Sequence, residues 1–218
     1  MSTANYGARS PHEFQRIDTD LHARSLPGPA RPGQPANDRP RTIGRVGIIG
    51  ANSMGIAIAK ALLEADIPVT MFDKRDALDR GLALLRAGHA QAAGTGALTV
   101  EKRDRCLALF SATPRFHHLK DADLILEVMP AETQAREKFF RWLDDIGKPD
   151  AILATHASGS QLDRIARLTR RPADVLGLDF SAPDGMPELV ELVCGRETSD
   201  DTSATVLALL GRIGKLRT

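Results

Sequence analysis

The stretch from Val46 to Asp73 constrains the fold of this chain most. It begins with Val46-Gly47-Ile48-Ile49, a short apolar run without alternation. Such a run predicts a strand buried on both faces. Gly50-Ala51-Asn52-Ser53-Met54-Gly55 follows and leads into a segment rich in Ala, Ile and Leu. There Met54, Ala57, Ile58, Ala61, Leu62 and Ala65 recur at helical spacing. A second apolar run, Val69-Thr70-Met71-Phe72, ends on Asp73, eighteen positions after Gly55.

Strand, Gly-rich turn, helix, strand and terminal acid, in that order, form the fingerprint of a dinucleotide-binding βαβ unit. Each part has a physical task. Gly50 permits the tight turn, and Gly55 lets the helix pack close to the strand. The helix N-terminus offers unpaired N–H groups and a positive dipole end to a pyrophosphate. Asp73 can accept hydrogen bonds from a ribose diol, and its charge disfavours a 2′-phosphate, so NAD is expected rather than NADP. Lys74 and Arg75 soften that preference. The bland reading of Asp73 is an ordinary acid at a strand end. Asn52 departs from the pattern, because glycine at its position lets the backbone approach the pyrophosphate. Asn tolerates left-handed dihedrals better than most residues, yet it brings a side chain.

The rest of the chain extends the same architecture. A helix is expected after Asp73 through about Ala93, broken by Gly94-Thr95-Gly96. Thr99 can cap a second helix, Val100 to Leu109. Buried strands are expected at Leu124–Val128, Ala151–Ala154 and Val175–Phe180, and another at Leu189–Val193. Helices are expected from Glu132 to Ile146, burying Phe139, Leu143 and Ile146, from Gln161 to Leu168, and from Asp201 to Ile213. Strands separated by helices imply an α/β fold with a doubly wound, mostly parallel sheet of Rossmann type. Its distinguishing feature is a helical-pair insertion after the second strand.

Residues 1–43 differ. Pro11, Pro27, Pro29, Pro32, Pro35 and Pro40 lie among scattered polar residues with no apolar period. Such composition cannot offset its ordering entropy, so a disordered N-terminal tail is expected, with the domain at 44–218. A net charge of +1 gives no reason to expect nucleic acid as a partner. No apolar run is long enough for a membrane span, and no secretory h-region opens the chain, so a cytoplasmic protein is expected. Cys106 and Cys194 read as small buried apolar residues. His117-His118 lack ligand-spaced partners, and no metal site is read there.

Taken together, these residues resemble the N-terminal NAD-binding domain of the 3-hydroxyacyl-CoA dehydrogenases. Gly50-Ala51-Asn52-Ser53-Met54-Gly55 is similar to the family's Gly-Ala-Gly-Thr-Met-Gly. The helix pair with Gly96-Ala97-Leu98-Thr99 sits where the family has its extra helices. Leu124-Ile125-Leu126-Glu127-Val128 resembles Leu-Val-Ile-Glu-Ala, and Ala154-Thr155-His156-Ala157-Ser158 aligns with its Ser-Asn-Thr-Ser segment. Gly177-Leu178-Asp179-Phe180-Ser181-Ala182-Pro183 and Leu189-Val190-Glu191-Leu192-Val193 align with Gly-Leu-His-Phe-Phe-Asn-Pro and Leu-Val-Glu-Val-Val.

The resemblance implies oxidation of the 3-hydroxyl of an acyl-CoA with hydride transfer to NAD, in fatty-acid metabolism. In such enzymes a His takes the hydroxyl proton, a Glu orients the imidazole and a Ser holds the substrate oxygen. Ser158 matches the Ser and Glu191 the Glu, but Asp179 stands where the family has His. A carboxylate with a pKa of about 3.9 is a poor base for an alcohol. His156, at the family's Asn position, offers a relocated imidazole that Asp179 or Glu191 could orient. The bland readings are a helix N-cap for Ser158, an exposed edge carboxylate for Glu191 and a structural or solvent-facing ring for His156. Glu132 and Arg136 fall near the family's Glu and Lys and are the remaining cofactor candidates, beside Gly50, Asn52, Ser53, Met54, Gly55 and Asp73. The family's C-terminal helical domain has no counterpart in this sequence, so a helical partner or a homodimer is expected to complete the site. The alternative is a catalytically silent dinucleotide-binding or interaction module.

Overall fold

The computed structural model describes residues 40–129, 133–156, 159–181 and 189–214. The proposed tail up to residue 39, Glu132 and Ser158 therefore lie outside the described residues. A seven-stranded sheet forms the centre, in the order β3-β2-β1-β4-β5-β6-β7. Its strands are β1 (Val46–Ile49), β2 (Val69–Phe72), β3 (Phe110–Thr113), β4 (Leu124–Glu127), β5 (Ile152–Thr155), β6 (Val175–Ser181) and β7 (Leu189–Cys194). The first six run parallel, and β7 pairs antiparallel with β6.

Among the described residues, six α-helices surround the sheet: α1 (Ser53–Glu64), α2 (Arg75–Gly94), α3 (Val100–Ala108), α4 (Thr133–Ile146), α5 (Gly159–Ala166) and α6 (Asp200–Arg212). Side-chain alternation along each strand divides the core in two. Ile48, Leu124, Leu126, Ile152 and Ala154 pack with α1, α2, α3 and α6. Ile49, Ile125 and Leu153 pack with α4 and α5 through Phe140, Leu143, Leu162 and Ile165. Helices on both faces explain why the central strands are apolar throughout rather than alternating. The expected doubly wound sheet and the helix pair after β2 are both present. Thr99 caps α3 as its hydroxyl implied, its Oγ1 accepting from the Lys102 N–H at 3.2 Å.

Four local expectations change. Strand β3 was not read from the sequence, because Phe-Ser-Ala-Thr is short and its central Ser111 and Ala112, exposed at the sheet edge, break the apolar run. In α4 the fully buried ring is Phe140, not Phe139. Phe139 instead joins Phe72, Phe116 and Trp142 in an aromatic cluster. Cys106 is buried, but Cys194 is exposed. Lastly, Arg41 and Ile43, within the stretch assigned to the tail, pack onto the domain. Ile43 is buried, and Arg41 bonds Asp174, Thr202 and the carbonyl of Asp150 while its backbone N–H donates to Thr205.

Candidate functional site

The strand order reverses between β1 and β4, and ligands of doubly wound sheets bind outside the carboxyl ends of strands at that switch point. The Gly-rich turn lies there. Gly50 has φ +119°, a left-handed value that L side chains rarely adopt. A Cβ on Gly55 would lie 2.0 Å from the Gly50 carbonyl oxygen, so only glycine lets α1 approach β1 this closely.

Asn52 does not need the left-handed tolerance expected of it, since its φ is −82°. It caps α1. Its Oδ1 accepts from the Gly55 N–H at 2.9 Å, and its Nδ2 donates to the Val128 carbonyl at 2.8 Å. The amide is thus tied down across the β1–β4 crevice. The Ile56 N–H makes the first intrahelical bond, to the Asn52 carbonyl. Between these two, the Ser53 and Met54 N–H groups are left without a partner among the described residues, and they are the donors a pyrophosphate would meet.

Asp73 ends β2 beside this turn. Its Oδ2 accepts from the Ala51 N–H and its Oδ1 from the Lys74 N–H, each at 2.7 Å. Every carboxylate oxygen has a second acceptor site, so both remain able to take a ribose hydroxyl. The residues present therefore fit a dinucleotide: a glycine cradle, two unpaired donors at a helix N-terminus and an acid at the second strand.

Arg136, a cofactor candidate, lies against the end of β4. Its Nε donates to Glu127 Oε2 at 2.8 Å and its Nη2 reaches the Met129 carbonyl at 3.4 Å. Glu127 is fully buried at the end of β4. It also accepts from Thr155 Oγ1 at 2.7 Å and from the Met129 N–H at 2.8 Å. Arg136 thus ties α4 to β4 and β5, and Glu127 is the hub. The sequence reading passed over Glu127 as a strand residue; an acid at the end of an otherwise apolar run was the available signal.

The catalytic candidates meet on the same edge of the sheet. Strand β6 outruns its partner β5, whose last paired residue, Thr155, lies opposite Gly177. Leu178 and Asp179 therefore stand beyond the end of β5, beside His156. In the β6–β7 register Asp179 is opposite Glu191, which puts the two carboxylates on one face. His156 and Asp179 are both about half exposed, and Nδ1 of the ring lies 3.6 Å from Asp179 Oδ1. The closer partner of Nδ1 is the Leu178 carbonyl oxygen, at 3.1 Å. Thus the structure sets His156 beside Asp179, and Asp179 opposite Glu191.

This fold and cradle define a dinucleotide-binding domain of the doubly wound dehydrogenase class. The sequence profile of the family described as 3-hydroxyacyl-CoA dehydrogenase, NAD binding domain, matches residues 45–217, and the chain belongs to that family. It is 32% identical over 174 residues to the 3-hydroxybutyryl-CoA dehydrogenase of Bradyrhizobium diazoefficiens, covering 79% of this chain and 59% of that protein. A probable 3-hydroxybutyryl-CoA dehydrogenase of Bacillus subtilis is 31% identical over 79% of this chain and 61% of its own length. The crystal structure of (S)-3-hydroxybutyryl-CoA dehydrogenase from Ralstonia eutropha superposes with a TM-score of 0.75 at 29% identity, covering 80% of this chain and 62% of that one. The chain thus spans about three fifths of the length of these relatives. Among the described residues, no helix is long and apolar enough to cross a membrane.

Proposed function

We propose that the chain is the NAD-holding part of an oxidoreductase that oxidises the 3-hydroxyl of an acyl-CoA thioester. The observation that carries the reading is the Asp73 carboxylate, held against the Gly50–Gly55 turn by the Ala51 N–H. That contact sets a ribose acceptor beside a pyrophosphate cradle. NAD, when bound, accepts a hydride. The Ser53 and Met54 N–H groups hold its pyrophosphate, and Asp73 holds the adenosine ribose and repels a 2′-phosphate. Glu127 and Arg136 tie α4 to β4 behind it. By resemblance, Ser158 hydrogen-bonds the substrate oxygen and Glu132 is a cofactor candidate. The protein works in the cytoplasm, in fatty-acid metabolism.

A second reading rests on one observation: Asp179 faces Glu191, where the family has a His–Glu pair. A module that binds NAD without turning over is the alternative. NADH formation from 3-hydroxybutyryl-CoA and NAD separates the two. Absorbance growth at 340 nm supports the enzyme. Saturable NADH binding with no such growth supports the silent module.

A further inference from the structure

The geometry points to His156 as the general base of this site, with Asp179 as its positioning residue; this rests on the dehydrogenase reading above. The argument begins with one hydrogen bond. A carbonyl oxygen can only accept, so the 3.1 Å contact between His156 Nδ1 and the Leu178 carbonyl requires the proton on Nδ1. That fixes the neutral ring in the tautomer whose free lone pair is on Nε2. Nδ1 points into β6, and the half-exposed opposite edge of the ring is left open.

Three further facts support the assignment. The backbone N–H of His156 donates to the Glu127 carbonyl at 3.3 Å, which anchors the residue to the end of β4. The Phe180 ring lies 6.2 Å from the imidazole, centroid to centroid. Asp179 Oδ1 lies 3.6 Å from the protonated nitrogen, where its charge stabilises the cation that forms when Nε2 takes up a proton. An ordinary dyad of this reaction places His on β6 and the acid on β7. Here the imidazole comes from the end of β5 and the acid from β6. The dyad has moved by one strand, and the loss of His at position 179 is offset rather than left uncompensated.

The step balances. The hydroxyl O–H bond breaks and its proton passes to Nε2. The O–H electron pair becomes the second bond of the C3 carbonyl, and C3 releases its hydrogen with two electrons, as hydride, to the nicotinamide of NAD.

The test uses the chain labelled with nitrogen-15 at histidine. Long-range proton–nitrogen spectra at a pH where the ring is neutral should show the His156 proton on Nδ1. His156→Asn should then lower NADH formation from 3-hydroxybutyryl-CoA by a factor of about 10² to 10⁴, the usual share of a general base. Its calorimetric affinity for NADH should stay as in the wild type. Asp179→Asn should lower kcat with the Nδ1 tautomer and NADH affinity kept, which a merely structural role would not produce. A proton on Nε2 overturns the assignment. So does a His156→Asn rate within twofold of wild type, or a wild type that binds NADH and does not turn over. A wild type that fails to bind NADH at all defeats the dehydrogenase reading itself, and is told apart from the other results by the calorimetry.

Discussion

Gly55 is the residue with the least freedom. A methyl group there meets the Gly50 carbonyl oxygen at 2.0 Å, and the neighbour is backbone, which cannot swing aside. Gly55→Ala is expected to cost about 3 kcal/mol, the upper part of the overpacking range, and to open the cradle. Urea unfolding measures the first effect, and loss of NADH affinity the second. Asn52 carries two hydrogen bonds, to Gly55 and Val128. Removing both in Asn52→Ala should cost about 1 kcal/mol, as a lost N-cap does. Asn52→Gly should cost only a few tenths of that in stability, and it frees the path of the pyrophosphate, so NADH should bind more tightly. Most of this cradle was legible in the sequence because glycine and a strand-end acid signal backbone geometry directly. The role of Asn52 was not. A departure from a motif states what is missing, while only coordinates reveal that its amide has found partners on β1–α1 and β4.

The ends of β4, β5 and α4 are joined by Glu127, Thr155 and Arg136. Breaking a buried ion pair by removing one partner leaves an uncompensated charge. Arg136→Met should therefore destabilise the chain by about 3 kcal/mol in urea unfolding, with the largest loss of hydrogen-exchange protection at the start of α4. The apolar strands of the sheet were readable as elements because burial on both faces leaves an uninterrupted apolar run. Strand β3 was not, since an edge position with exposed Ser111 and Ala112 leaves no apolar signature. Register within α4 slipped by one residue for a related reason. Phe139 and Phe140 are adjacent and equally apolar, and only packing decides that Phe140 enters the core. The pairing of Asp179 with Glu191 was readable, because both motifs had fixed neighbours. The swing of His156 towards Leu178 depends on β6 outrunning β5, which no local pattern encodes.

Stability of the whole molecule should depend on pH in two stages. His89 is buried on α2, its ring beside the Leu85 backbone. Burial lowers its pKa from the ordinary 6.5, against an opposing pull from Glu64 at 3.9 Å and with a smaller push from Lys60. The unfolded chain therefore takes up this proton first, and stability falls as the pH drops below the ordinary imidazole range. A second loss comes from Asp144. Burial raises its pKa, but the Arg170 backbone and side chain and the Arg171 side chain outweigh that and hold it below the ordinary 3.8. Its contribution is present above the ordinary carboxylate range and is lost as the pH falls through the lowered value. Urea midpoints followed from pH 8 to pH 3 should show both limbs, and His89→Leu should flatten the first and leave the second. The central claim, that the Gly50–Gly55 turn and Asp73 form a working NAD site, is tested most directly by calorimetric titration of NADH and NADPH into the chain. The account predicts saturable NADH binding, at least about tenfold tighter than NADPH because of the Asp73 charge. No heat of binding at millimolar NADH, or equal affinity for the two, would contradict it.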